Sequence, residues 1–148
     1  MKSLPDEKTV QSWARLVRAQ QLLLERVEAD LKQGGLPPLR WYDVLLELHR
    51  SEPDGLRQYE ISEAVLLNKY NVSRLLDRLE REGLIDRYTC ESDGRGAQVR
   101  ITASGKDLLK RMWKVYGIAI TEHFARHFTQ SELSRLALLL CKLPGVCR

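Results

Sequence analysis

The sequence predicts a mostly α fold that carries one small β-hairpin. Six segments place apolar residues at three- and four-residue steps, the spacing of one face of a helix. Two shorter segments between the fourth and fifth of these are rich in β-branched and aromatic residues, which favours strands. An Asp93-Gly94 pair between the two short segments suits the loop of a hairpin. The predicted class is therefore α+β, with helices on both sides of the hairpin.

Length and composition indicate a single soluble domain. The 148 residues can bury one core and are too few for two independent ones. With 43% apolar residues, 30% charged residues and no apolar run near about 20 residues, we expect no membrane segment. Residues 1–7 lack the apolar core of a secretory signal, so we expect a cytoplasmic protein. The net charge of +4 permits a polyanionic partner but does not establish one.

Three helices are predicted in the first half of the chain. The first begins near Val10, and the glycines and prolines of Gly34–Pro38 end it. The second covers Leu39–His49 and is followed by a turn at Pro53–Gly55. The third is short and is predicted over Leu56–Val65.

The fourth predicted helix runs from an Asn68 cap to Glu82. Gly83 follows it and can end it in the left-handed conformation. Its predicted inward face consists of Val72, Leu75, Leu76 and Leu79.

A hairpin and two more helices complete the predicted fold. Leu84–Cys90 and Gln98–Thr102 are predicted strands, and Glu91–Ala97 is the loop between them. Thr102 can cap the fifth helix, and Thr129–Glu132 has the sequence of a capping box that opens the sixth.

Two helices joined by a turn and followed by a hairpin have the order of a winged helix-turn-helix, whose second helix enters the DNA major groove. The polar face of the fourth helix offers groups that can contact bases and phosphates. Asp77, Glu80 and Glu82 dilute its positive charge, and any solvated helix is polar on one side. The candidate DNA-binding residues on or before this helix are Lys69, Tyr70, Asn71, Ser73, Arg74 and Arg78.

The predicted hairpin adds three basic residues, Arg87, Arg95 and Arg100. An arginine at the tip of a protruding loop can enter a narrow minor groove, where the negative potential is enhanced. The alternative is a solvated turn that only requires polar residues.

The sequence resembles the MarR (multiple antibiotic resistance regulator) family over nearly its whole length. The resemblance is carried by the stretch Asn71–Arg87, by Asp93 and Arg95, and by Ile101–Gly105. These residues look like the recognition helix of the family, its wing with an Asp-x-Arg element, and its hydrophobic-Thr-x-x-Gly junction. Arg57 departs from the usual Thr or Ser cap of the third helix, and glycines on both sides of Arg95 make the wing tip unusually flexible.

The resemblance implies a homodimeric transcriptional regulator that binds a pseudo-palindromic operator in double-stranded DNA. Residues 1–34 and 103–148 would form the dimerisation helices, and residues 39–102 the winged DNA-binding lobe. In this interpretation the residues facing the major groove are Asn71, Ser73, Arg74 and Arg78. Those holding the backbone or minor groove are Lys69, Arg87, Arg95 and Arg100. Asp93 is expected to orient Arg95 or Arg87 through a salt bridge.

The resemblance also suggests that a small molecule, a metal or an oxidant controls DNA binding, without identifying the signal. Aromatic and methionine side chains at helical spacing usually pack in a core, and some can line an effector cavity. The candidate lining residues are Trp13, Trp41, Tyr42, Met112 and Tyr116. We predict no cofactor.

No metal site is predicted, although Glu122, His123 and His127 are candidate ligands because His residues four apart share one face of a helix. Three cysteines without CxxC spacing indicate neither a disulfide framework nor a zinc site. Cys90 beside the wing is a candidate for oxidation. Cys141 is expected to be a small buried residue and Cys147 a free thiol near the end of the chain.

Two other classes of function were weighed. An enzyme is disfavoured because the sequence lacks a Gly-rich phosphate loop, a GxSxG motif and an HExxH motif. A winged helix that contacts proteins instead of DNA is the second alternative, since the fold alone does not imply DNA binding. Repression and activation are both compatible with the sequence.

Overall fold

The computed structural model of the protein describes residues 1–67, 70–89 and 97–147, and the chain separates into two compact units. The winged unit extends from Leu31 to Val115. The terminal unit combines residues 1–30 with the chain from Tyr116 onward. In chain order the elements are α1 (Glu7–Gln33), α2 (Leu39–Arg50), β1 (Leu56–Arg57), α3 (Gln58–Ala64), α4 (Val72–Arg81), β2 (Ile85–Thr89), β3 (Ala97–Ile101), α5 (Ala103–His123), a 3₁₀ turn (Ala125–His127) and α6 (Gln130–Leu140).

The sheet of the winged unit has three antiparallel strands in the order β1-β3-β2. The predicted hairpin is present, with Ile85 opposite Ile101 and Thr89 opposite Ala97. The predicted third helix was wrong at its start, because Leu56 pairs with Val99 and forms β1 with its neighbour. A two-residue strand has no periodicity of its own, so only its partner in β3 makes it a strand.

Helix α4 begins later than the sequence predicted. Tyr70 and Asn71 are not helical, and the Asn71 side chain accepts a hydrogen bond from the backbone N–H of Arg74 at 3.0 Å. Asn71 is therefore the N-cap, which corrects the prediction of a cap at Asn68; that residue lies outside the described residues. The predicted end is confirmed, since Gly83 has φ +74°.

The junction between the sheet and α5 also follows the prediction. The Thr102 hydroxyl accepts from the backbone N–H of Gly105 at 3.1 Å and donates to the Gly83 carbonyl at 2.7 Å. A Cβ atom on Gly105 would collide with the Leu84 carbonyl oxygen. The close approach explains why glycine stands at this position.

The core of the winged unit is apolar and is built from every one of its elements except the short strand β1. One face of α2 along its length, the inner face of α4 and the first half of α5 contribute most of it. The side chains with no more than 1% exposure are Leu31, Val44, Leu45, Leu48, Ile61, Leu76, Leu79, Ile85 and Met112.

A buried carboxylate holds the turn between α3 and α4. Asp43 of α2 is 5% exposed, and its two oxygens accept the backbone N–H groups of Leu66 and Leu67, each at 2.9 Å. The Tyr70 hydroxyl is also buried, near the Asp43 carboxylate, and no described residue meets it with hydrogen-bond geometry. Burial, followed by the negative charge of Asp43, raises the pKa of Tyr70 well above its ordinary value of 10.0.

The terminal unit leaves much of its apolar surface exposed. Thr129 and Glu132 form the predicted capping box, with both hydrogen bonds between 2.9 and 3.1 Å. No residue of α6 is buried, although Leu133, Leu136 and Leu140 are partly covered. The imidazole Nε2 of His123 lies 2.7 Å from a carboxylate oxygen of Asp30.

A disulfide joins Cys141 and Cys147, which corrects both cysteine predictions. The two Cα atoms are 5.2 Å apart, and both residues are exposed. The separation is typical of a disulfide. A turn at Pro144-Gly145, with Gly145 at φ +83°, brings the chain back toward the end of α6.

Across the described parts of the chain, none of the helices combines the length and the apolar character that a bilayer crossing requires.

We expect Asp43→Ala to lower the free energy of unfolding by about 3 kcal/mol, because two buried N–H groups lose their acceptors. Asp43→Asn keeps one oxygen acceptor, so its free energy of unfolding should fall by about half as much. Urea unfolding measures both, with Asp107→Ala on the exposed side of α5 as the control. Equal stability of Asp43→Ala and the control would contradict this role for the carboxylate.

Tyr70 should make the protein less stable at alkaline pH. Its pKa is raised by folding, so above about pH 10 the unfolded chain loses a proton that the folded chain keeps, and stability falls by at most about 1.4 kcal/mol per pH unit. Tyr70→Phe should remove this part of the slope. Unfolding free energies between pH 8 and 11 test the difference, and parallel curves for the two proteins would show that Tyr70 does not contribute.

Candidate nucleic-acid interface

The outward face of α4 is polar and accessible. Ser73, Arg74 and Arg78 are exposed, whereas Leu75 and Leu76 face the core. Arg74 and Arg78 are four residues apart and therefore lie on the same side of the helix. The structure thus brings three of the predicted contact residues onto one surface.

The acidic residues of α4 are engaged by neighbouring arginines. Asp77 lies 2.9 Å and Glu80 3.7 Å from the guanidinium of Arg87 on β2. Glu82 lies 3.1 Å from Arg78. The dilution of positive charge that the sequence suggested is therefore local, and in the described part of the chain Arg74 has no carboxylate partner.

Arg78 is also held by an aromatic ring of α2. Its guanidinium carbon lies 5.9 Å from the centroid of the Trp41 ring, within the range of a cation–π contact. Together with Glu82, this ring fixes the direction of the Arg78 side chain. A residue restrained on two sides retains less conformational entropy to lose when it binds a ligand.

A cleft of about 340 Å³ separates the start of α2 from α4. Arg40 and Trp41 line it on α2, and Arg74 and Arg78 on α4. Tyr70 also lines it. Because the Tyr70 hydroxyl is buried, only the rest of its ring can reach a molecule in the cleft.

The Asn71 side chain is already used in part by a hydrogen bond to α4. Its side-chain oxygen already caps α4, although a carbonyl oxygen has a second lone pair and the amide N–H₂ group remains. If the side-chain oxygen and the N–H₂ group of Asn71 both contact an adenine, the oxygen would accept hydrogen bonds from the base and from the helix at the same time.

The described part of the hairpin restrains its own basic residues. The Nε of Arg100 donates to the Asp54 carbonyl at 3.3 Å, and its guanidinium lies 4.6 Å from the centroid of the Tyr88 ring. Arg87 is paired with Asp77 and Glu80, a partner set that the sequence did not suggest. The other predictions of this region concern Lys69, Cys90, Asp93 and Arg95, which lie outside the described residues.

The five candidate lining residues of an effector cavity have different surroundings. Met112 is fully buried, and Tyr42 is buried with its ring 6.2 Å from that of Trp113. Trp13 is 68% exposed, and Tyr116 is partly covered. Trp41 lines the cleft between α2 and α4.

The three metal-ligand candidates are directed to other partners or to solvent. His123 contacts Asp30, and Glu122 lies 2.9 Å from Arg126. His127 is exposed. Within the described ranges, no three histidine, cysteine or acidic side chains form a group that could hold a metal ion.

Two residues of the site were missed by sequence reasoning. Arg40 carries no motif, and only folding places it opposite Arg74. Asp43 is a single charge between apolar positions of α2, a sequence signal of a buried polar group that could have been noticed.

Comparisons with known proteins agree on one family. A sequence model of the MarR family matches residues 34–96. The crystal structure of AbsC, a MarR family transcriptional regulator from Streptomyces coelicolor, is similar with a TM-score of 0.81 and 25% identity, covering 94% of this chain and 93% of that chain.

The similar structures include complexes with DNA. Sco3205 from S. coelicolor, a MarR family transcriptional regulator in complex with DNA, has a TM-score of 0.84 and 22% identity, over 95% of this chain and 88% of that chain. A mutant of MarR from E. coli complexed with operator DNA has a TM-score of 0.77 and 20% identity, over 95% and 100%.

The matches are to transcriptional regulators, so the prediction that the protein is a regulator and not an enzyme is confirmed. The predicted α+β winged fold is confirmed as well. The family match identifies residues 34–96 as a winged helix-turn-helix of the MarR family, and the chain shares the fold of MarR family transcriptional regulators over more than nine-tenths of its length.

Proposed function

We propose that the protein binds a specific sequence in double-stranded DNA as a homodimer and represses transcription from it. The observation that carries this proposal is the outward face of α4, where Arg74 has no acidic partner among the residues that the structure describes and the nearby acids are engaged. Its polar character disfavours the alternative of a protein-binding helix, which would need an exposed apolar stripe. Similar proteins crystallised with DNA support the same interpretation.

We divide the candidate contacts by the chemistry that each can perform. Arg74 and Ser73 are exposed on the first turn of α4, the part of a recognition helix that contacts base edges. Arg78 can donate to a base or a phosphate from its fixed position. Lys69 and Arg95 are proposed phosphate or minor-groove contacts, and Asp93 the partner that orients Arg95. Tyr70, Asn71, Arg87 and Arg100 remain candidates with the restraints given above.

The terminal unit supplies the surface for a dimer. It exposes large apolar side chains on α1, α5, α6 and the tail, among them Trp13 at 68%, Ile118 at 65% and Leu138 at 72%. A soluble protein rarely leaves this many large apolar groups in water unless a partner covers them. A second copy of the chain is the partner we propose, because closed two-fold dimers are the commonest assembly and match a pseudo-palindromic operator.

A small-molecule effector remains part of the proposal, with its identity open. Regulation of transcription places the protein in the cytoplasm of a bacterial cell. Repression follows if the bound dimer covers a promoter.

The loss of DNA affinity should depend on sequence when Arg74 is changed and not when Lys69 is changed. Arg74→Ala removes a base contact, so it should weaken binding to the native duplex by about 1 to 3 kcal/mol more than binding to a scrambled one. Lys69→Ala should weaken both about equally. Fluorescence anisotropy across a salt series would use the duplex upstream of the gene and a scrambled duplex of equal length. Equal losses on both duplexes for Arg74→Ala would contradict its assignment as a base contact.

Dimerisation should depend on α6. Leu138→Glu should raise the dimer dissociation constant by at least about 100-fold, because symmetry places two buried charges in one interface. Sedimentation equilibrium measures the change. The matched control is Leu66→Glu, which alters a leucine of the winged unit that is 79% exposed and should leave the dimer intact. A monomeric wild-type protein at tens of micromolar would refute the proposed assembly.

A further inference from the structure

We propose that Arg40 of α2 binds a backbone phosphate of the operator beside the base that Arg74 contacts, so that the DNA interface extends beyond the helix-turn-helix pair and the wing. The inference rests on the proposed DNA-binding function and adds a contact residue to it. It starts from the cleft between α2 and α4, where these two side chains stand on facing elements.

The charge of the cleft favours an anion. Arg40 and Arg74 are exposed, and neither forms an ion pair with a residue in the described ranges. Arg78 also lines the cleft, but Glu82 at 3.1 Å offsets its charge. Two guanidinium groups without a carboxylate partner therefore border one concave surface, and guanidinium binds phosphate oxygens through paired hydrogen bonds.

The buried acid near Tyr70 offsets only part of this charge. Both oxygens of Asp43 accept backbone N–H groups of the turn and the residue is buried, and its single negative charge stands against the two cations Arg40 and Arg74. The positive charge of Arg40 opposes part of the rise in the pKa of Tyr70, and both residues line the cleft. The ring of Trp41 covers the apolar side, so the phosphate would meet its cations over a surface partly screened from water.

A DNA phosphate fits this position better than a base. The first turn of a recognition helix contacts base edges, while neighbouring elements contact the strands that border the groove. Arg74 belongs to that first turn, and Arg40 approaches it from a different helix. A phosphate held by Arg40 would be covalently linked to the nucleotides that Arg74 contacts, so Arg40 would help to set the position of the helix in the groove.

The first test measures affinity against salt for the full-length protein. A dimer carries two copies of Arg40, so Arg40→Ala should make the slope of log K against log salt shallower by about 2 and weaken binding at about 0.15 M salt by about tenfold. The affinities for the native and the scrambled duplex should fall by the same factor. Arg40→Lys should keep most of the slope. Arg111→Ala, an exposed arginine of α5, is the control and should change neither quantity.

The second test shows direct contact. A neutral methylphosphonate is placed at successive positions of the native duplex. At one position in each half-site it should weaken the wild-type protein by about as much as Arg40→Ala does. At that position the methylphosphonate should not weaken binding by the Arg40→Ala protein any further, because two changes that remove the same contact are not additive. Additive losses at every position would overturn the proposal.

The remaining outcomes are also decisive. If the wild type prefers its native duplex and Arg40→Ala behaves like Arg111→Ala, the proposed function stands and the role of Arg40 is wrong. If the wild type binds no duplex at low salt, the proposed function itself fails. Saturable binding of inorganic phosphate or benzoate that Arg40→Ala abolishes, with an unchanged salt slope, would make the cleft a small-anion site and overturn the phosphate contact.

Discussion

The position of α4 depends on the hydrogen bonds that the buried Asp43 carboxylate accepts from Leu66 and Leu67. Removing a carboxylate from water costs several kcal/mol, and the cost is offset only when its oxygens find donors. Those donors are backbone groups of the turn, so the folded unit is stable only with the turn in place. The same turn delivers Asn71 to its capping position, and from there α4 begins. Helix α2 therefore controls where the first turn of α4 lies.

The ion pairs around α4 matter more for charge placement than for stability. Exposed pairs contribute at most about 1 kcal/mol each, and Glu82, Asp77 and Glu80 are all partly exposed. Their effect is that a neighbouring arginine of the winged unit neutralises each acid. Arg87 also links α4 to β2 through Asp77 and Glu80. Among the described residues, Arg74 at the start of α4 and Arg40 across the cleft have no acidic partner, which favours the approach of a polyanion.

Local chemistry was predictable from the sequence, and tertiary partners were not. Gly83, Thr102 and the Thr129–Glu132 box act within three or four residues, so their roles can be inferred from neighbours in the chain. The choice between Asn68 and Asn71 as cap could not, since either can accept a helix N–H and the Asp43 turn decides between them. Strand β1, the partners of Arg87 and the Cys141–Cys147 bond all arise from segments that folding brings together. For the same reason Arg40 had no signal in the sequence.

The two units depend on each other through the energetics of recognition. One α4 offers few side chains for base contact, each worth about 1 to 3 kcal/mol of discrimination. Specific regulators discriminate by about 4 to 10 kcal/mol, which a single helix with this many groups reaches only with difficulty. In the proposed homodimer, two copies held about 34 Å apart, one turn of the duplex, would double the contacts to bases with the same side chains on each α4. The apolar residues that the terminal unit exposes are then as necessary for sequence recognition as Arg74, although none of them would touch DNA. A change that separates the two copies would reduce operator binding while leaving every contact residue intact, and a regulator built in this way can respond to signals far from its DNA-binding surface.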